Sequence, residues 1–419
     1  MPMAKPVALQ HMFRSLSGRD FRIYFFGQVV SLVGTWVQQV ALSWIAYRVT
    51  GSAFMLGLIA FSGQIPMLLL TPVGGMLSDR MSRRELLLIT QYAEMAVALL
   101  LAVLAYRGAM APWVLVVTAI LSGVAAALEM PTRQAFVTEI LHDPRHMSNA
   151  IALNSLTFNV ARLAGPAVAG LMLAAFGDVV CFSLNAASYI AAIISLWMIR
   201  PAKHVERTRG GGLREGLEYL RSFSPAAWLI GAVAAASFCV SPFMTFMPVY
   251  AKDIFKGGPD MLGTLMGASG MGALLAALIL ANRKTVFGLG RYIWRGFLLC
   301  GIASLGFAHN TLLTFALPLL VASGFSLITI VTSCNILLQT LVPENLRGRV
   351  MALYTMSFIG MLPVGSLLMG SVAHHFGVQT TFLISGLASL AMFYVLRNVL
   401  PTLKEKAMPV LSAKGLFPE

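Results

Sequence analysis

The chain has 419 residues, 58% hydrophobic and 11% charged, with a net charge of +14. Soluble domains carry about 25% charged residues, so this composition excludes an ordinary water-soluble fold. The basic balance does not imply nucleic acid, because Lys and Arg of integral membrane proteins gather in cytoplasmic loops.

Apolar runs of span length recur along the whole chain and do not alternate in the way of barrel strands, which predicts a multi-helix membrane protein. The head of the chain is basic and leads straight into a full-length span, without the short apolar core of a signal peptide. Twelve spans are expected, at 22–46, 53–77, 85–106, 113–138, 148–176, 178–199, 227–250, 261–282, 292–309, 312–341, 350–374 and 378–398. This divides the chain into a cytoplasmic segment 1–20, a six-helix half 21–199, a linker 200–226, a second six-helix half 227–399 and a cytoplasmic tail 400–419. A glycine run and a short amphipathic helix are expected in the linker.

With the N-terminus inside, 25 of the 30 Lys and Arg fall on the inner side or at inner span ends. Only Arg48, Arg107, Lys252 and Lys256 fall outside. The asymmetry puts both termini in the cytoplasm of a bacterial-type inner membrane.

The halves repeat. At an offset of 200, residues 150–177 lie over 350–377, and Ala152, Leu153, Phe158, Gly165, Gly170, Phe176 and Gly177 each meet their own residue type. Two related halves are the signature of a carrier that rocks around a central site.

The loop between spans 2 and 3 holds a dense polar knot, Gly75-Met-Leu-Ser-Asp79-Arg80-Met-Ser-Arg83-Arg84. Topology accounts for the arginines as anchors at the inner surface. The preceding Gly74-Gly75 pair permits a close backbone approach, and Asp79 suits a helix N-terminus or an arginine partner. The stretch resembles the G-x-L-a-D-R-x-G-R-R signature of the major facilitator superfamily, with Ser82 replacing the usual glycine. That resemblance implies an all-α fold of twelve transmembrane helices in two pseudo-symmetric halves. It also implies a latch between the halves, in which Asp79 caps the start of span 11 while Arg80 and Arg83 tune the contact.

Two further stretches carry the resemblance. Asn159-Val-Ala-Arg162-Leu-Ala-Gly165-Pro166-Ala-Val-Ala-Gly170 resembles the antiporter motif. Pro131-Thr-Arg133-Gln134-Ala resembles the exporters that include the enterobactin exporter and the macrolide efflux pumps. Physically, Gly165 and Gly170 allow close helix contact and Pro166 bends the helix.

Charges within spans are costly and mark function or a fixed partner. Glu94, Glu129 and Arg162 are the intramembrane candidates, with Arg133 and Asn159 beside them. Glu94 shares a face with Thr90 and Gln91, and Glu129 stands one turn before Arg133. Arg162 shares a face with Ser155, Asn159 and Pro166. Functionally these residues would carry a coupling proton or draw an anionic cargo group; the alternative is a set of permanent ion pairs. Span 7 concentrates Phe243, Met244, Phe246 and Met247, an adaptable wall for an apolar cavity or ordinary packing.

Other chemistry is not indicated. Cys181, Cys239, Cys300 and Cys334 lie in apolar runs without ligand spacing, so no metal and no cofactor is expected. Gly267-Ala-Ser269-Gly270 matches a short protease motif that glycine-rich spans produce by chance, so the protein is not read as an enzyme. The expected function is secondary transport by alternating access, as a proton-coupled exporter of small amphipathic siderophore- or drug-class molecules. A lipid or lysophospholipid translocator without proton coupling, or a sensor on the same fold, are the rival readings. Partners are the bilayer, the cargo and protons, and a monomer is the family expectation.

Overall fold

The computed structural model describes residues 14–141, 147–199, 213–283 and 285–413. Most of the expected N-terminal segment, much of the linker and the last six residues lie outside these. The described residues contain no strand, and ten helices among them are long and apolar enough to cross a membrane.

In chain order, α1 (Arg19–Thr50), α2 (Ala53–Arg80), α3 (Arg83–Tyr106), α4 (Pro112–Ile140) and α5 (Met147–Met198) come first. A short α6 (Leu213–Ser222) is the amphipathic helix expected in the linker. There follow α7 (Ser224–Thr245), α8 (Pro259–Ala281), α9 (Leu289–Ala308), α10 (Leu313–Leu341), α11 (Glu344–Phe376) and α12 (Val378–Ala413).

The 52-residue α5 contains both expected spans 148–176 and 178–199, separated only by Gly177 at φ +77°. Gly377, at φ +86°, makes the corresponding turn between α11 and α12. Left-handed φ is free to glycine and costly to other residues, so these two matched residues let each pair of spans reverse without a loop.

The chain forms two compact units, Met1–Val49 with Ile65–Thr208, and Thr50–Gln64 with Arg209–Glu419. In the first, α1 packs on the second arm of α5 through small residues. A Cβ on Gly27 would lie 2.5 Å from Ser195 Oγ, and one on Gly34 2.6 Å from Asn185 Oδ1. Gly74 abuts the Ala127 carbonyl of α4. Phe21, Tyr24, Leu87, Phe136 and Leu196 form a buried core at the end where α1 and α3 begin, with Tyr24 edge-on to Phe136 at 5.5 Å.

In the second unit, α8 and α10 meet at Gly272 against Val321 and at Gly324 against Ser269. Here Ser269 is a packing residue at a close helix crossing. Helices α9 and α12 meet through Gly301 against Leu390 and Gly386 against Leu305, with Ser304 donating to Ser385 at 3.1 Å. Residues 50–64 belong to this unit, where Gly57 lies against Gly370 and the Ser366 carbonyl of α11. The residues expected to begin a tail continue α12 as far as Ala413. Ala407 and Leu411, one helical turn apart, are buried in the core of this unit, and Leu403, a turn earlier, is buried as well.

Candidate proton and cargo site

The polar residues of the first unit gather along α3, α4 and α1. Glu94 of α3 is only 7% exposed, and its carboxylate accepts a hydrogen bond from Ser122 of α4 at 2.9 Å. Thr90 and Gln91, one turn earlier, are fully buried. Ser122, Glu129 and Arg133 stand at i, i+7 and i+11, so they share one face of α4. Glu129 and Arg133 form the expected i,i+4 ion pair at 3.4 Å, and Arg133 also reaches Gln28 of α1 at 3.5 Å. Glu94 lies within the field of Glu129.

Two polar atoms at this site have no hydrogen-bond partner among the described residues, Gln91 Oε1 and the Tyr24 hydroxyl. Tyr24 lies in the field of Arg133 and Glu129. Deeper in the unit, Asn185 donates to Gln38 at 2.8 Å. A carboxyl accepting from a hydroxyl, in the field of a second carboxyl paired with an arginine, is a group of the type that exchanges protons in positioned acid–base chemistry. Arg133, with Glu129 at 3.4 Å and Gln28 at 3.5 Å, puts a cation on this polar face of α4.

The loop residues divide in two. Asp79 and Arg80 end α2 and are exposed. Arg83 and Arg84 begin α3 and are tied down inside the unit. Arg83 pairs with Glu139 at 3.0 Å, while Arg84 donates to the Leu196 and Trp197 carbonyls at 2.7 and 3.0 Å. The Arg84 guanidinium also lies over the Trp197 ring. Gly75 has open space at its Cβ position, so the close approach of the Gly74-Gly75 pair belongs to Gly74.

In α5, Gly165, Pro166 and Gly170 are all buried. A Cβ on Gly165 would lie 2.7 Å from the Trp36 ring of α1. The backbones of Asn159 and Arg162 are helical; their side chains lie outside the described residues. Of the span 7 residues, Phe243, Phe246 and Met247 are fully buried and only Met244 is exposed. Phe243 packs edge-on to Phe382 at 4.8 Å and beside Phe307 at 5.6 Å. Three of the four therefore serve packing in this conformation. The described residues include no group of His, Cys, Asp and Glu able to hold a metal.

A family profile described as transmembrane secretion effector, of the major facilitator superfamily, matches residues 11–416. The chain belongs to this family. It is 28% identical to the staphyloferrin A transporter of Staphylococcus aureus over 91% of this chain and 97% of that protein. It is 25% identical to the multidrug efflux pump Tap of Mycolicibacterium fortuitum, covering 91% and 96%. It is 23% identical to the macrolide efflux protein A of Streptococcus pyogenes, covering 87% and 92%. A crystal structure of the peptide transporter POT in complex with sulfate superimposes with TM-score 0.74 at 13% identity, covering 93% of this chain and 96% of that one. That last likeness bears on the fold alone. The protein is a multi-pass membrane transport protein, and its relatives are transporters and efflux pumps, not enzymes.

Proposed function

We propose that this transporter is a proton-coupled exporter of small amphipathic molecules, of the siderophore or drug class, working by alternating access. Twelve spans in two six-helix halves, with both termini cytoplasmic in a bacterial inner membrane, complete the reading. The observation that carries it is the Glu94–Ser122 contact beside the Glu129–Arg133 pair. A buried intramembrane carboxyl with a hydroxyl as its partner is suited to carrying the coupling proton. The neighbouring Arg133, and Arg162 on α5, are suited to an anionic or zwitterionic cargo. Relatives named for a siderophore, a macrolide and multiple drugs support that cargo range. Asp79 and Arg80, both exposed at the end of α2, are the residues we assign to the latch.

The test is flux in proteoliposomes, with and without an imposed pH gradient, for wild type and Glu94→Gln. A siderophore, a macrolide, a cationic dye and a lysophospholipid are the cargoes. We expect gradient-driven movement of one cargo that falls at least about tenfold in the variant, the scale of losing a positioned proton carrier. Movement indifferent to the gradient would replace this reading with that of a facilitator or lipid translocator.

A further inference from the structure

The second unit holds a cavity of about 320 Å³ that has no part in the polar site of the first. Its walls include Trp228 and Leu229 of α7, Trp294 of α9, Leu337 of α10, and Leu400 and Met408 of α12. The lining is apolar apart from three cations, Arg291, Arg397 and Lys404, all exposed. No acidic side chain lines it. None of the three cations makes an ion pair with a described carboxylate, although the exposed Glu405 follows Lys404 in the chain.

The mouth is built. Gly288, at φ +82°, turns the chain into α9, and Arg283 braces that turn by donating to the Phe287 carbonyl at 2.5 Å while lying over Tyr292. Trp294 is fixed between Phe393, at 5.6 Å, and Arg295. On α12, Arg397, Pro401, Lys404 and Met408 stand at i, i+4, i+7 and i+11, one face turned to the opening. The α9 N-terminus, with Gly290 in the lining, adds partial positive charge. Tryptophans and cations around an apolar slot, at the end of a bundle of spans, match the membrane boundary, where headgroups meet acyl chains.

We propose that this cavity is a binding site for an anionic phospholipid. One acyl chain lies against Trp228, Leu337 and Leu400, and the phosphate is held by Arg291, Arg397 and Lys404. The lipid is a resident of the fold, distinct from the exported cargo. Charge complementarity selects it: a zwitterionic lipid fills the slot equally well but brings an ammonium group toward three cations.

The readout is tryptophan quenching by lipids brominated on the acyl chain. The full-length chain in detergent, with Trp36, Trp44, Trp113 and Trp197 changed to Phe, retains Trp228 and Trp294 as reporters. Thermal stability and monodispersity are checked first, and single Trp228→Phe and Trp294→Phe variants of the otherwise native chain provide the same reading by difference. We expect saturable quenching by brominated phosphatidylglycerol at a far lower mole fraction than by brominated phosphatidylcholine. At roughly fivefold per basic side chain near the surface, the preference is about a hundredfold. It should vanish in the Arg291→Gln, Arg397→Gln, Lys404→Gln variant, whose changes are all at exposed positions. Equal quenching by both lipids would overturn the proposal, as would a preference that survives the triple change. Relief of quenching by millimolar inorganic phosphate would also overturn it, in favour of a free anion site. So would saturable binding seen only after removal of residues 414–419, which would make the chain's own end the occupant.

Discussion

Arg83 and Glu139 meet at 3.0 Å with side chains only 8% and 11% exposed. The first residue of α3 is thereby clamped to the last turn of α4. A motif arginine that marks a cytoplasmic loop in the sequence is, in the fold, the counter-ion of a nearly buried acid. Removing one partner of such a pair strands the other charge, at a cost of about 3 kcal/mol. Glu139→Gln should therefore lower the unfolding temperature in detergent more than Arg80→Gln, a change at an exposed position. Equal effects would mean that the clamp contributes nothing.

Gly177 and Gly377 turn the chain at left-handed φ, and alanine at either place should cost about 1–2 kcal/mol. For Gly177 the cost is purely conformational, because its Cβ position is open. Gly231, inside α7 and equally open, is the control; alanine there should be neutral or mildly stabilising. Thermal unfolding of the three variants separates the backbone effect from crowding.

Gly165 allows α5 to lie against Trp36. Gly165→Leu should strongly reduce both folded yield and transport, since the added side chain must displace an indole. Trimming the indole with Trp36→Ala should restore part of the loss, a coupling expected of residues in direct contact. If the double variant is merely the sum of the two singles, the contact does not govern this crossing.

Asp79→Asn keeps the shape of the residue and removes its charge. On the latch assignment, transport should fall severalfold while membrane insertion and unfolding temperature stay near wild type. Wild-type flux in the variant would remove Asp79 from the mechanism.

Arg133→Gln should break the tie between Glu129 and Gln28. We expect weaker retention of an anionic cargo, with a smaller change for a neutral one. Affinity measured for both cargoes in the same preparation provides the comparison.

The sequence made legible what depends on spacing along one chain. Apolar run lengths predicted helices, the 200-residue repeat paired Gly177 with Gly377 without showing that both turn the chain, and i,i+4 spacing anticipated the Glu129–Arg133 pair. Contacts between distant helices were not legible in the same way. Nothing near Glu94 in sequence points to Ser122, and nothing near Arg83 points to Glu139, because helix rotation decides both. The face that Ser122 shares with Glu129 and Arg133 was the one available signal. The aromatic residues of span 7 show the converse. Their composition suits a cavity wall and a packed core alike, and burial of Phe243 among Phe307 and Phe382 decides for packing in this conformation.

The extension of α12 to Ala413 bears on how this protein can be handled. Its stripe of Leu403, Ala407 and Leu411 is buried, the last two in the core cluster, so the segment after the expected last span is a structural part of the second unit. A reporter or purification handle joined near residue 400 would replace that stripe with foreign sequence and uncover apolar surface beside Trp228. Joined after residue 413, the same handle would leave the stripe seated.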